Sequence, residues 1–187
     1  MDGKPRAVAL ISGGMDSAVA AALAREAGED IYALSVDYGQ RHRHELEAAG
    51  RVARWLGAAE HKTVSIGLSG IGGSALTDNM DVPKNRQDND IPVTYVPGRN
   101  IIFLSVALSW AEVINARAVV IGANAVDFSG YPDCTPEFLE AFRKVAGTGT
   151  RAGVQGSPPV INAPLLYMDK AEIVRQGARL GLDFGIT

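Results

Sequence analysis

The chain has 187 residues, of which 47% are hydrophobic and 21% are charged, a balance ordinary for one soluble domain with a sizeable core. The net charge is −3 and no long basic stretch occurs, which argues against a nucleic-acid partner. The apolar runs are shorter than a membrane helix needs, and the N-terminal residues have no signal-peptide core. We therefore expect a cytoplasmic protein without a membrane partner.

Strand-like apolar runs alternate with helix-like segments along the chain. The predicted strands are residues 7–11, 31–36, 61–66, 118–121 and 160–163, and the predicted helices are residues 16–27, 45–56, 100–114, 136–145 and 169–180. The last helix has Asp169 as its expected N-cap and Gly181 just after its end. This alternation predicts βαβ units and an α/β fold with a parallel sheet, which binds ligands at the carboxyl ends of its strands.

Two segments show no periodic pattern. Residues 67–92 are rich in Gly, Ser, Asp and Asn, and a segment of this length inside a compact domain is typical of a lid or binding loop. Residues 147–159 contain several glycines and are also expected to be irregular. We expect the whole chain to form one domain, with a lid over residues 67–92.

A glycine pair lies between the first predicted strand and the first predicted helix, in the stretch SGGMDS of residues 12–17. Paired glycines allow a ligand to approach the backbone closely, and the amides and dipole of the following helix attract an anion. No lysine stands where a GxxxxGK[ST] loop needs one, and the spacing is not that of a dinucleotide GxGxxG loop. The stretch therefore predicts a phosphate-binding loop of another type.

Four further motifs follow in order: DYGQRH at residues 37–42, VPGRN at 96–100, GAN at 122–124 continuing to DFSGYPDC at 127–134, and PLL at 164–166 continuing to DKAE at 169–172. With SGGMDS, they make the sequence similar to the 7-cyano-7-deazaguanine synthases, a branch of the PP-loop ATP pyrophosphatases, over nearly its whole length. The resemblance implies a Rossmann-like, three-layer α/β/α domain of the adenine nucleotide alpha hydrolase type.

The same resemblance implies an ATP-dependent C–N ligase. It would convert 7-carboxy-7-deazaguanine and ammonia into 7-cyano-7-deazaguanine through adenylated intermediates, releasing AMP and pyrophosphate, in queuosine or other deazaguanine biosynthesis. The alternatives are a PP-loop tRNA-modifying enzyme, such as a lysidine synthase or a thiolase, and a non-catalytic nucleotide-binding relative. The acidic charge argues against the tRNA-modifying enzyme. We also expect a homodimer, with the two tryptophans in the core or at the dimer interface.

The expected ATP site combines the glycine loop with cations from other motifs. Asp16 supplies a carboxylate suited to Mg²⁺, and the fork of Arg99 suits phosphate oxygens. A cation at a helix start is disfavoured by the dipole, which favours a functional role for Arg99. By resemblance, Lys170 also reaches the phosphates, so Asp16, Arg99 and Lys170 are the predicted catalytic residues. The predicted ATP contacts are Ser12, Gly13, Gly14, Met15, Asp16, Ser17, Ser35, Asp37, Arg99 and Lys170.

The predicted contacts of the aromatic acid are Tyr38, Gln40, His42, Asn100, Asn124, Asp127, Tyr131 and Asp133. Their carboxylates suit ring N–H donors, and their aromatic rings suit stacking. The resemblance also implies a zinc ion held by four cysteines in a tail past the position of Thr187. The one cysteine of this sequence, Cys134, belongs to the substrate-loop motif. No residue present is therefore assigned to zinc, and a small buried thiol is the expected role of Cys134.

Overall fold

The computed structural model describes residues 3–39, 44–68, 95–126 and 130–187. The predicted site residues Gln40, His42 and Asp127, and the predicted lid from residue 69 onward, lie outside these ranges. The strands are β1 (Arg6–Leu10), β2 (Asp30–Asp37), β3 (Glu60–Ser65), β4 (Ala118–Val120) and β5 (Val160–Asn162). The helices are α1 (Met15–Glu26), α2 (His44–Leu56), α3 (Arg99–Val113), α4 (Pro136–Gly149), α5 (Arg151–Val154) and α6 (Lys170–Arg179).

Within the described residues, the strands form a parallel sheet in the order β3-β2-β1-β4-β5. The chain runs outward from β1 to β3 and then returns to the other side of β1 at β4. Loops from the two halves therefore diverge between β1 and β4, which is where ligands bind in sheets of this kind. The α/β class and the parallel sheet predicted from the sequence are confirmed.

Alternate residues of β1 face two separate cores. Val8 and Leu10 pack with residues of α3 and α4, whereas Ala7 and Ala9 pack with residues of α1, α2 and α6. Helix α1 has five alanines among its buried residues, and these small side chains let it lie close to the sheet. The helices thus cover both faces, which gives the predicted three-layer arrangement. No helix within the described ranges is both long and apolar enough to cross a bilayer.

The prediction that residues 147–159 are irregular was wrong for residues 147–149 and 151–154, which are helical. Helix α4 continues to Gly149 and α5 follows at once, because Thr150 connects them. The Thr150 hydroxyl donates to the Ala146 carbonyl at 2.8 Å and accepts from the Gly153 amide at 2.9 Å. A Cβ at Gly153 would lie 2.4 Å from the carbonyl oxygens of Ala146 and Gly147, so this glycine permits a packing contact between the helices.

The predicted N-cap of α6 is confirmed. The Asp169 carboxylate accepts a hydrogen bond from the Glu172 amide at 2.7 Å, which satisfies one of the free amides of the first turn. Gly181 has φ +76° just after the helix, as expected for a C-terminal glycine. These two ends hold Lys170 at the first position of α6, beside the start of α1.

Candidate functional site

A cleft of about 810 Å³ opens at the carboxyl ends of β1, β2 and β4. Its walls are the loop between β1 and α1, the first turns of α1, α2 and α3, and the loop after β4. Its floor is apolar and includes Leu10, Leu34, Val36 and Ile121, whereas cationic side chains stand at its rim. An apolar floor with converging polar groups is typical of a small-molecule site. Of the predicted site residues, those that line the cleft are Ser12, Gly13, Gly14, Met15, Asp16, Ser17, Tyr38, Arg99, Asn100, Asn124, Tyr131 and Lys170.

The two glycines of the loop between β1 and α1 have different roles. Gly13 has φ +89°, and a Cβ there would lie 2.3 Å from the Glu45 carbonyl oxygen and 2.9 Å from the Ala48 Cβ. It therefore packs against α2. Gly14 is the N-cap of α1 with φ −83°. Among the described residues, a Cβ at Gly14 would meet one atom within 4 Å, the Ser12 hydroxyl oxygen at 3.6 Å. Gly14 thus exposes its backbone to the cleft.

Two hydroxyls hold this loop in shape. Ser17 Oγ donates to the Gly14 carbonyl at 2.8 Å and accepts from the Ser12 amide at 3.2 Å. Ser12 Oγ donates to Ser17 Oγ at 3.1 Å and accepts from the Gly14 amide at 3.3 Å. The first amides of α1 have no acceptor from the preceding turn of the helix, as at any helix start. The loop is therefore preorganised and lines the cleft at the start of α1, where a helix favours an anion.

Asp16 and Lys170 form an ion pair across the mouth of this loop. Lys170 Nζ lies 2.7 Å from Asp16 Oδ1, and their side chains are 51% and 18% exposed. Gly122, two residues after β4, lets the backbone there pack closely against the start of α1, because a Cβ at Gly122 would lie 2.9 Å from the Asp16 carbonyl carbon. Residues 154 positions apart in the sequence are thus brought together. The pair places one carboxylate and one ammonium beside the amides of α1.

Arg99 approaches the same cleft from the start of α3. Its guanidinium carbon lies 5.9 Å from the centre of the Tyr38 ring. Burial raises the pKa of the Tyr38 hydroxyl, while the charge of Arg99 and a hydrogen bond from it act in the opposite direction. Tyr38 also contacts the Phe103 ring, with the ring centres 5.5 Å apart. The cleft therefore has an aromatic wall with a cation at its edge, which suits a planar acid.

Asn100 and Asp133, both predicted to contact substrate, bind each other, and of the two only Asn100 lines the cleft. The Asn100 amide donates to Asp133 Oδ2 at 2.9 Å, and the Asn100 side chain donates to the Asp133 carbonyl at 3.1 Å and to Cys134 Sγ at 3.2 Å. Asp133 is 5% exposed and does not line the cleft. Burial raises the pKa of the Cys134 thiol to about 11, with the charge of Asp133 acting in the same direction. The expectation of a buried thiol is confirmed.

Two other predicted residues are held by the protein itself. Asn124 is fully buried and donates to the carbonyls of Met168 at 2.6 Å and Leu165 at 3.4 Å, so it ties the loop after β4 to the loop before α6. Ser35 is 1% exposed, donates to the Ile11 carbonyl at 2.8 Å and lies 2.9 Å from the His61 ring nitrogen. We therefore leave the Ser35 side chain out of the proposed nucleotide contacts.

Asp37 stands at the end of β2, where its carboxylate accepts a hydrogen bond from the Gly39 amide at 3.2 Å. It is half-buried beside the cleft rather than lining it. Tyr131 lines the cleft and pairs with the Tyr95 ring, with the ring centres 6.0 Å apart. Asp37 and Tyr131 remain predicted contacts of the nucleotide and of the acid respectively.

The sequence reasoning missed Arg51 as a cleft residue. Arg51 lies in the middle of α2, lines the cleft, and donates from Nε to the Ile186 carbonyl at 3.2 Å. No motif surrounds it, and an arginine on an amphipathic helix normally indicates an exposed face. Its position follows from the packing of α2 against the 3₁₀ turn Phe184–Ile186, which a local pattern does not contain.

The donor set of the cleft fits Mg²⁺ but not zinc. One carboxylate, Asp16, stands beside the amides that would receive phosphate, and Mg²⁺ is commonly held by one or two carboxylates together with substrate phosphates. Zinc needs three or four His, Cys or carboxylate ligands. No group of three such residues that could hold a metal occurs in the part of the chain that the structure describes.

Comparison with known proteins identifies the family of the chain. The family model described as queuosine biosynthesis protein QueC matches residues 6–187. A 7-cyano-7-deazaguanine synthase from Ectopseudomonas mendocina (strain ymp) is 57% identical over 182 residues, which cover 97% of this chain and 81% of that protein. The synthase of the same name from Xanthomonas oryzae pv. oryzae (strain PXO99A) is 58% identical over the same shares of both chains.

Solved structures show the same fold at low sequence identity. A 4-thiouridine synthetase, in complex with RNA and bound ATP, aligns with a TM-score of 0.64 and 23% identity, covering 97% of this chain and 42% of that one. An NH3-dependent NAD synthetase from Campylobacter jejuni subsp. jejuni NCTC 11168 aligns with a TM-score of 0.56 and 20% identity, covering all of this chain and 68% of that one. These two establish the fold, and the family model with the curated relatives establishes that the chain belongs to the QueC family of queuosine biosynthesis proteins.

Proposed function

We propose that the chain is an ATP-dependent C–N ligase that converts 7-carboxy-7-deazaguanine and ammonia into 7-cyano-7-deazaguanine. Membership of a family whose curated members carry the name 7-cyano-7-deazaguanine synthase supports the reaction. The observation that carries the proposal is the cleft itself. It joins a preorganised amide loop, the Asp16–Lys170 pair and Arg99 to an aromatic wall, as a reaction between a triphosphate and a planar acid requires.

A carboxylate resists attack by ammonia because the group that would leave is oxide. Attack of the acid oxygen on the α-phosphorus of ATP forms an acyl adenylate and releases pyrophosphate. Ammonia then displaces AMP and leaves an amide. A second ATP adenylates the amide oxygen, and loss of AMP and a proton leaves the nitrile. Each adenylation exchanges a poor leaving group for a good one.

The residues of the cleft would act by position and charge. The Gly14 backbone and the first amides of α1 would hold the phosphates, and Arg99 and Lys170 would stabilise the charge that develops on the departing pyrophosphate. Asp16 would hold Mg²⁺, which when bound neutralises phosphate charge. Release of Lys170 from Asp16 would then free its ammonium for a phosphate oxygen. None of the roles assigned to Gly14, Asp16, Arg99 and Lys170 requires a covalent nucleophile.

The buried Cys134 argues against a sulfur-transferring function. A thiol with its pKa raised to about 11 by burial is protonated at neutral pH, and the thiolate is the nucleophile in such chemistry. The net charge of −3 also argues against an enzyme that must hold tRNA. A homodimer stays a prediction, to be measured by light scattering of the protein in solution.

The test supplies ATP, Mg²⁺, ammonium and 7-carboxy-7-deazaguanine, and follows the nitrile by mass spectrometry. Arg99→Ala is expected to lower the rate by ~100-fold or more, within the range found when a charge-stabilising donor is removed. The matched control is Arg175→Ala, which removes an exposed cation of α6 that does not line the cleft. Wild-type protein that binds ATP without forming nitrile would favour the non-catalytic alternative, and a wild-type rate in Arg99→Ala would remove Arg99 from the mechanism.

A further inference from the structure

We propose that Asp133 is a positioning residue that holds the first turn of α3 and thereby aims Arg99 into the cleft. The proposal rests on the proposed function for the use of Arg99, and it gives Asp133 a role different from the substrate contact predicted from the sequence. The role follows from three observations: the contacts of its carboxylate, the way α3 begins, and the surroundings of the Arg99 guanidinium.

The carboxylate of Asp133 binds the start of α3. Asp133 Oδ2 accepts a hydrogen bond from the Asn100 amide at 2.9 Å, and the Asn100 side chain returns one to the Asp133 carbonyl at 3.1 Å. The two residues are 5% and 8% exposed. The contact joins the 3₁₀ turn Pro132–Cys134 to a helix 33 residues earlier in the chain, so it is a two-point clamp between separate segments.

Helix α3 has no side-chain cap from its own N-cap residue. Gly98 occupies that position with φ +67°, and its amide donates to the Tyr95 hydroxyl at 3.1 Å. The Arg99 amide donates to the Val96 carbonyl at 3.1 Å. The carboxylate that satisfies the next amide therefore comes from Asp133, at the positive end of a 15-residue helix, where a negative charge is stabilising.

The Arg99 side chain is not part of this clamp and lines the cleft. Among the described residues no carboxylate lies within 4.0 Å of its guanidinium. Arg99 is the first residue of α3, directly before the clamped Asn100. A shift of the first turn would move the guanidinium with it, and a misplacement of about 1 Å at a reacting centre costs ~100-fold in rate.

The test compares Asp133→Asn with Asp133→Ala in the nitrile-forming reaction. An asparagine side chain still offers an oxygen to the Asn100 amide, whereas alanine offers none. We expect kcat/KM to fall ~100-fold in Asp133→Ala and to stay within about 5-fold of wild type in Asp133→Asn. Thr150→Ala is the matched control, because it removes a buried cap of α5 that does not line the cleft. It is expected to lower stability and leave kcat/KM unchanged.

The opposite patterns overturn the proposal. Equal losses in Asp133→Asn and Asp133→Ala would mean that the hydrogen bond to the Asn100 amide is not what positions Arg99, and a wild-type rate in Asp133→Ala would mean that Arg99 needs no clamp. If the wild type forms no nitrile, the proposed function fails by itself. Amide hydrogen exchange over residues 99–102 then decides the positioning role: faster exchange in Asp133→Ala than in Asp133→Asn supports it, and equal exchange contradicts it.

Discussion

Replacing Gly14 with alanine separates ligand binding from folding. Gly14 has φ −83° and ψ 161°, which alanine adopts without strain. A methyl group there meets the Ser12 hydroxyl at 3.6 Å, an ordinary contact. Alanine is a poorer N-cap than glycine by about 0.5 kcal/mol, and it loses less conformational entropy on folding by a similar amount. The free energy of unfolding should therefore stay within ~0.5 kcal/mol of wild type.

The same methyl group stands where the phosphates are proposed to meet the backbone. Overpacking of this kind costs about 1–3 kcal/mol, so we expect ATP affinity to fall ~30-fold, the equivalent of about 2 kcal/mol. Isothermal titration calorimetry with ATP measures the affinity, and urea unfolding measures the stability. Wild-type affinity for ATP in Gly14→Ala would refute the assignment of this loop to the phosphates.

Two further glycines provide the controls. Gly13→Ala combines left-handed strain at φ +89° with a methyl group 2.3 Å from the Glu45 carbonyl oxygen, and we expect a loss of about 3 kcal/mol or more of unfolding free energy. Gly28→Ala has the same strain at φ +95° with nothing within 4 Å, and should lose about 1 kcal/mol. The difference in unfolding free energy between Gly13→Ala and Gly28→Ala measures the cost of the contact with α2.

Three further predictions concern charge. Asp16→Asn should abolish nitrile formation but lower the free energy of unfolding by less than about 1 kcal/mol, since its partner Lys170 is half exposed; a larger loss in urea unfolding would make the pair structural. Burial and the charge of Arg54 lower the pKa of His61, so its contribution to stability is present above the unfolded pKa of about 6.5 and lost as pH falls through the folded value. Urea midpoints between pH 7.5 and 5 should fall less in His61→Gln than in wild type, and parallel curves would contradict this. Burial raises the pKa of Glu29, whose Oε2 has no partner among the described residues, so Glu29→Gln should raise the melting temperature at pH 7 and lose this advantage near pH 4; a lower melting temperature at pH 7 would be the opposite result.

The parts of the fold that could be predicted from the sequence are those with a local signal. The glycine loop of residues 12–17 follows an apolar strand and begins an alanine-rich helix, so its place at the carboxyl end of a strand was predictable. Asp169 caps α6 through a residue three positions later, which is also a local pattern. The alternation of strands and helices predicted a parallel sheet, whereas the order of its strands came from the structure.

The parts that could not be predicted depend on partners far apart in the sequence. Asp133 was predicted to contact substrate because it is a carboxylate in a polar loop, and its contact with Asn100, 33 residues away in the sequence, has no local signal. Ser35 was expected at the nucleotide, but its strand register directs the hydroxyl to the Ile11 carbonyl and the His61 ring. Such contacts are set by tertiary packing, which a single sequence does not display.

The central claim is that ATP is cleaved between its α and β phosphates to activate the acid. Phosphorus NMR of the complete reaction measures this directly, with the nitrile quantified in the same sample. We predict AMP and pyrophosphate as the nucleotide products, with two of each per nitrile formed from the acid. Formation of ADP and inorganic phosphate, or of AMP without any nitrile, would contradict the account.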